Sequence, residues 1–290
     1  MYFCVVVIGP DIAAQLQPYS LEQRTAEPYP DSVVERRTLE RFAAKLRAEL
    51  EREPTLDELL ARISREQDWA SYRVHEGRIW EFSNRNPRGE WDYWRIGGGW
   101  TGFFPLRPEV AFDPRCVGRP TGSPTQPDLA TLEQRHRVDI ASIEQIDFEG
   151  ERRRAHDAIR ARFAPWKQAF EAHGRPLPWT HYEDRVDEGD ATIEEARAAY
   201  EAQAAIAAFM KVGRLQLPDC PIAKFGFDEQ AYVEREYSGV LVPYAIVREG
   251  QWLSRGWDMD ALGREWASEV TAIYAGVPAG TRLTAVECHR

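Results

Sequence analysis

Between positions 86 and 104 the chain reads NPRGEWDYWRIGGGWTGFF, with three Trp, two Phe and a Tyr set around three consecutive glycines. Aromatic rings stack on flat ligands, at roughly 1 to 3 kcal/mol per base where the ligand is a nucleotide. Glycines leave backbone N–H groups open to close approach. The candidate ligand-binding residues are therefore Trp91, Tyr93, Trp94, Arg95, Gly97, Gly98, Gly99 and Trp100, and Arg95 and Arg85 are suited to phosphate. Strand alternation from Trp91 places Trp91, Tyr93 and Arg95 on one face and Asp92, Trp94 and Ile96 on the other. The same pattern also reads as a strand buried on both faces, with a glycine bulge that bends the sheet.

Four residues are candidates for catalysis: Asp92, Asp147, Glu149 and His289. Asp147 and Glu149, in IDFEG, are hard oxygen ligands that suit Mg²⁺ and can act as acid and base. A D-x-E ahead of a helix is equally a cap with acids favoured by the helix dipole. Cys288 and His289 are neighbours on a strand, so their side chains diverge and they do not make a Cys–His couple; His289 remains free to pair with another residue. His136, His156, His173 and His181 show no H-x-x-x-H or H-E-x-x-H spacing, which argues against zinc. Trp257-Asp258-Met259-Asp260 opens a predicted helix, where capping by Asp258 or Asp260 competes with a functional role.

Several chemistries are excluded. Gly9-Pro10-Asp11 ends the first strand without G-x-G-x-x-G, and Pro10 removes an N–H that a pyrophosphate turn needs. Neither a P-loop nor G-x-S-x-G occurs. A formal charge of -10 works against general nucleic-acid or anionic-membrane binding, because phosphate tracking needs a line of cations. Four scattered cysteines without a C-x-x-C pair suggest reduced thiols in a cytoplasmic protein. The apolar run at the N-terminus is too short to span a bilayer. Oligomeric state is not fixed by these features.

The elements that must position these residues follow from periodicity. YFCVVVI, residues 2–8, reads as a central strand. Asp31 is a plausible N-cap of an amphipathic helix stopped by Pro54, and Thr55 with Glu58 is a capping box for a second helix, giving a helical hairpin over 31–68. RIWEFSN and the aromatic segment read as strands with turns at Gly77 and at 86–89. Residues 113–130, rich in Pro, Gly, Ser and Thr, read as a loop. A helical insertion covers 150–211. GVLVPYAIVRE turns at Glu249-Gly250 into QWLSRG, and after a last helix RLTAVECH forms the final strand. The order predicts a single α+β domain over 1–290, a mainly antiparallel sheet with a ferredoxin-like core and helices on one face.

NPRGEWDYWRIGGGWTG resembles the N-P-x-x-x-W-D-W-[YW]-x-x-G-G-R-W-x-G segment of an uncharacterised family found mostly in tailed phages and their actinobacterial hosts. FCVVVIGPDIAAQLQPY, IDFEG, PYAIVREGQWLSRG and LTAVECHR resemble further blocks of that family. Asp92 and Trp100 match the pattern, whereas Gly99 stands where the family has Arg. The resemblance implies a phage setting and brings no activity with it.

Three functions fit the sequence. One is an accessory protein that binds a small, planar, nucleotide-like ligand in the Trp/Gly segment, sequestering a host defence signal. Another is a metal-dependent hydrolase or phosphodiesterase acting on such a ligand. The third is a structural or protein-interaction role, with the tryptophans as core.

Overall fold

A computed structural model describes residues 1–66, 70–118, 128–212, 220–254 and 263–290. The first half of the chain runs β1 (Tyr2–Ile8), α1 (Ile12–Leu16), β2 (Arg24–Val33), α2 (Arg36–Leu50), α3 (Leu56–Glu66), β3 (Ala70–His75), β4 (Arg78–Arg85), β5 (Tyr93–Ile96) and β6 (Phe104–Pro105). Next come α4 (Leu129–Arg135), β7 (Arg137–Val138) and β8 (Ile140–Ser142). A helical stretch follows: α5 (Phe148–His173), α6 (Trp179–Asp187), α7 (Ile193–Glu201), α8 (Ala204–Val212), α9 (Pro221–Phe225) and α10 (Glu229–Tyr237). The chain closes with β9 (Ala245–Arg248), β10 (Gln251–Ser254), α11 (Gly263–Ala275) and β11 (Arg282–His289).

The fold is α+β. Its central sheet has the order β10-β9-β1-β11-β5, and β8 shares the outer edge of β11 with β5. β1 and β11 pair antiparallel along their whole length, from Tyr2 opposite His289 to Ile8 opposite Leu283. β9 lies parallel to β1 and turns back into β10 through Glu249 and Gly250, both at positive φ, the backbone that a two-residue hairpin turn requires. The last strand beside the first agrees with a ferredoxin-like core. The hairpin departs from that pattern, because its first strand, not its second, neighbours β1.

Both faces of this sheet are covered, which is why β1 reads as an unbroken apolar run. On one face Val6, Ile8, Leu283, Ala285 and Ile246 pack under α11 and the 103–148 segment. On the other, Phe3, Val5, Val7, Val286 and Cys288 pack against Leu16, Tyr19 and Trp91. The expectation of helices on one face is therefore corrected: α11 lies on one side and the short α1 on the other. Tyr19 fixes the hairpin by donating its hydroxyl to the Gly250 carbonyl at 2.7 Å and accepting from the Trp252 N–H at 2.8 Å.

Two further units have their own cores. β2, β4 and β3 form a second sheet, with α2 and α3 packed on it through Phe42, Ile63, Tyr72 and Ile79. Thr55 and Glu58 make the expected capping box at the start of α3. Asp31, however, lies in β2, at a register shift between Pro30 and Ser32, and is not the cap of α2; α2 begins only after Glu35, because Ser32 and Val33 pair with β4 instead. The helices α5 to α10 enclose a separate cluster around Phe163, Trp166, Ile206 and Tyr232. This stretch starts at Phe148 and ends at Tyr237, beyond both predicted limits of 150–211. Within the predicted loop 113–130, Asp128 caps α4. Part of that loop, and Trp257 to Asp260, lie outside the described residues.

Candidate functional site

The triple glycine follows β5, whose register places Ile96, Arg95, Trp94 and Tyr93 opposite Val286, Glu287, Cys288 and His289. What the bend accommodates is a pair of carboxylates. Asp139, fully buried, accepts the N–H groups of Gly102 at 2.6 Å and Gly118 at 2.7 Å. Glu287, 3 % exposed, accepts the Gly99 N–H at 2.6 Å and pairs with the Arg95 guanidinium at 2.7 Å. A Cβ on Gly97 would stand 2.5 Å from Asp139 Oδ2, and one on Gly98 would stand 2.7 Å from the Glu287 Cβ. Both glycines have positive φ, 69° and 62°. The protein's own acids fill the space beside these two glycines, the Gly97 N–H is taken by the Ala285 carbonyl at 2.9 Å, and Arg95 is spent on Glu287 rather than held out to a phosphate.

Trp91 is 7 % exposed, packs in the core on the α1 side and donates its indole N–H to the Leu16 carbonyl at 3.0 Å. Trp94 and Ile96 join it on that face. The predicted split of Trp91 from Trp94 is corrected, since β5 begins at Tyr93 and the alternation does not extend back to Trp91. Trp100 is half-buried on a single 3₁₀ turn, residues 98–100, that packs on β11.

The four candidate catalytic residues fall into two pairs at opposite ends of β11, an eight-residue strand and so about 25 Å long. Asp147 and Glu149 lie near its start. Asp147 caps α5, accepting the Gly150 N–H at 2.8 Å, and Arg154 approaches it at 3.3 Å. Glu151 is engaged by Arg137 and, at 3.1 Å, by Arg154, so the acids here are matched by guanidiniums. Glu149 is exposed. A cleft of about 620 Å³ opens beside this network, lined by Leu106, Arg135, His136 and Ala155 among others. Among the described residues no three His, Cys, Asp or Glu side chains come together as a metal site.

At the far end of β11, Asp92 and His289 meet. His289 Nδ1 lies 2.8 Å from Asp92 Oδ1, and the Asp92 N–H donates to the His289 carbonyl at 3.0 Å, which ties the start of β5 to the end of β11. A carboxylate on Nδ1 favours a proton there and fixes the orientation of the ring, with Nε2 on the side away from Asp92. The strand register sets Tyr2 and Tyr93 on either side of His289, on one face of three adjacent strands. Tyr2 is 58 % and Tyr93 45 % exposed, and the Tyr2 ring lies 4.6 Å from that of His289. Cys288 points to the opposite face, is buried, and has its thiol pushed up by desolvation, which keeps it protonated.

No family model, curated protein or solved structure matches this chain.

Sequence reasoning missed Tyr2, Asp139 and Glu287. Tyr2 read only as the start of a buried strand. Glu287 carried a usable signal: an acid set directly between Val286 and Cys288 in a strand read as part of the central sheet must find a partner or remain buried without one. Among the described residues no helix is long and apolar enough to cross a membrane.

Proposed function

We propose that the protein is a binding protein for a small, planar, nucleotide-like ligand, held on the row formed by exposed Tyr2, half-buried His289 and exposed Tyr93 rather than in the glycine bend. The observation that carries this reading is the row itself: two exposed phenol rings flanking an imidazole whose orientation Asp92 fixes at 2.8 Å. Neighbouring strands stand about 4.8 Å apart, so the three rings extend over roughly 10 Å, the size of a purine ring system with part of its sugar. Stacking supplies affinity, and the Nε2 acceptor of His289 selects a donor on the ligand edge. In the phage setting implied by the sequence resemblance, such a protein would act by sequestering a host signal.

Isothermal calorimetry with a panel of mono-, di- and cyclic nucleotides tests this. The wild type is expected to bind at least one member at micromolar affinity, and Tyr93→Ala to weaken that binding about tenfold or more, as loss of one stacked ring implies. Trp100→Ala should leave it within about twofold. Affinity unchanged in Tyr93→Ala, or no member bound, counts against the proposal.

A second reading is favoured by the Asp92–His289 pair alone: hydrolysis of the same ligand, with His289 Nε2 as general base and Asp92 stabilising the imidazolium that forms. Nucleotide turnover abolished in His289→Gln would support it over simple binding.

A further inference from the structure

Among the described residues no helix or strand is seen to pack on one face of the second sheet. α2 and α3 cover the side bearing Tyr72 and Ile79. Strand alternation puts Arg73 and His75 of β3, and Arg78, Trp80 and Phe82 of β4, on the opposite side. Their contacts confirm a single cluster. The His75 ring stands edge-on to both Trp80 and Phe82, at 6.0 Å from each, and the Arg73 guanidinium lies over Phe82 at 5.1 Å. From β2, Pro30 and Val33 stand opposite Phe82 and Trp80 in the register.

From this arrangement we infer that the outer face of the β2-β4-β3 sheet binds a short stretch of single-stranded nucleic acid. Three observations bear on the occupant. Trp80 and Phe82 are half-buried and stand two residues apart on one strand, about 7 Å, the spacing that two successive unstacked bases need. Arg73, His75 and Arg78 are exposed, and neither arginine has a carboxylate partner among the described residues. His75 has only Glu76, at 3.9 Å. This cationic, aromatic surface sits on a chain of net charge -10, so its sign is a local property of this face. Net charge argues against tracking a long duplex, whereas two or three phosphates need only the cations present here. A duplex hides its base faces and offers nothing for Trp80 and Phe82 to stack on. This site shares no residue with the row around His289, and the two proposals stand or fall separately.

The test is fluorescence anisotropy of the full chain with a fluorescein-labelled oligothymidylate of roughly ten nucleotides, at about 50 mM salt. Saturable micromolar binding is expected. Trp80→Ser and Phe82→Ser should each weaken it about tenfold, and Arg73→Gln and Arg78→Gln should each flatten the log–log salt dependence by roughly 0.7. The arginine positions are exposed, so those variants test the site even where a ring substitution perturbs the sheet. No saturable binding, or affinity and salt slope both unchanged in the arginine variants, overturns the inference. Competition by a duplex of equal length, or by polyglutamate, as strong as by unlabelled oligonucleotide also overturns it, since either result would mark the face as a general acceptor of negative charge.

Discussion

Asp139→Ala is expected to lower stability by about 3–5 kcal/mol, among the largest losses available from one polar side chain in this protein. The carboxylate is fully buried and holds the N–H groups of Gly102 and Gly118, which belong to two different loops. Each buried donor left without an acceptor costs about 1–3 kcal/mol, and no solvent reaches the site to replace the lost oxygen. A cavity where the carboxylate stood adds to the loss. Asp139 also lies where its own backbone links the sheet to the bend: its carbonyl accepts from Ala285 of β11 and its N–H donates to Cys116. Thermal unfolding followed by circular dichroism checks this, with a fall in Tm of roughly 6 °C or more expected for a chain of this size. A variant within about 1 °C of wild type would show that the bend does not depend on the buried acid.

Gly98→Ala should destabilise by about 2–4 kcal/mol, whereas Gly99→Ala should cost less than about 1 kcal/mol. The two neighbours differ in what surrounds them. Gly98 has φ of 62°, and its added Cβ would press on the Glu287 Cβ and Cδ, each at 2.7 Å, a contact that a short, paired and buried side chain has little room to relieve. Gly99 is exposed and has no left-handed φ, and its Cβ would meet a single atom of Glu287, Oε2 at 2.9 Å, rather than that side chain's Cβ and Cδ. This is also the position where the resembled pattern carries Arg, and a cation starting from there lies within reach of the Glu287 carboxylate. Gly99→Arg is therefore expected to fold with stability close to wild type. Urea unfolding midpoints of the three variants measure the contrast, and equal costs at 98 and 99 would contradict this account of the bend.

The strands that build the sheet were legible because both their faces are buried. YFCVVVI carries apolar residues at every position and RLTAVECH an apolar stretch around Ala285 and Val286, and the turns place Gly77 and Gly250 where φ is positive. The pairing of the first and last strands with each other is a finding of the register, Tyr2 opposite His289 to Ile8 opposite Leu283. Less legible was β2, whose exposed residues and two prolines make it look like a linker; only pairing to β4 defines it. In the aromatic segment the residue types were informative and the geometry was not. Gly-Gly-Gly announces close approach without saying by what, and the partners come from far along the chain: Glu287 lies 188 residues from Gly99, and Asp139 lies 37 residues from Gly102, at the end of the same bend. Asp92 and His289 were each marked as titratable candidates, but nothing local joins residues 197 positions apart. Their meeting depends on the register of β5 against β11, which short-range periodicity does not encode.

The most direct test of the proposed ligand site is two-dimensional ¹H–¹⁵N NMR of the histidine rings and backbone amides during titration with the tightest nucleotide from the calorimetric panel. The account predicts that His289 Nε2 and the amides of Tyr2 and Tyr93 shift with a common affinity, while the Gly97 and Gly98 amides and the Trp91 indole N–H stay in place. Shifts centred on those glycines and Trp91, with His289 unmoved, would contradict it and return the ligand to the bend.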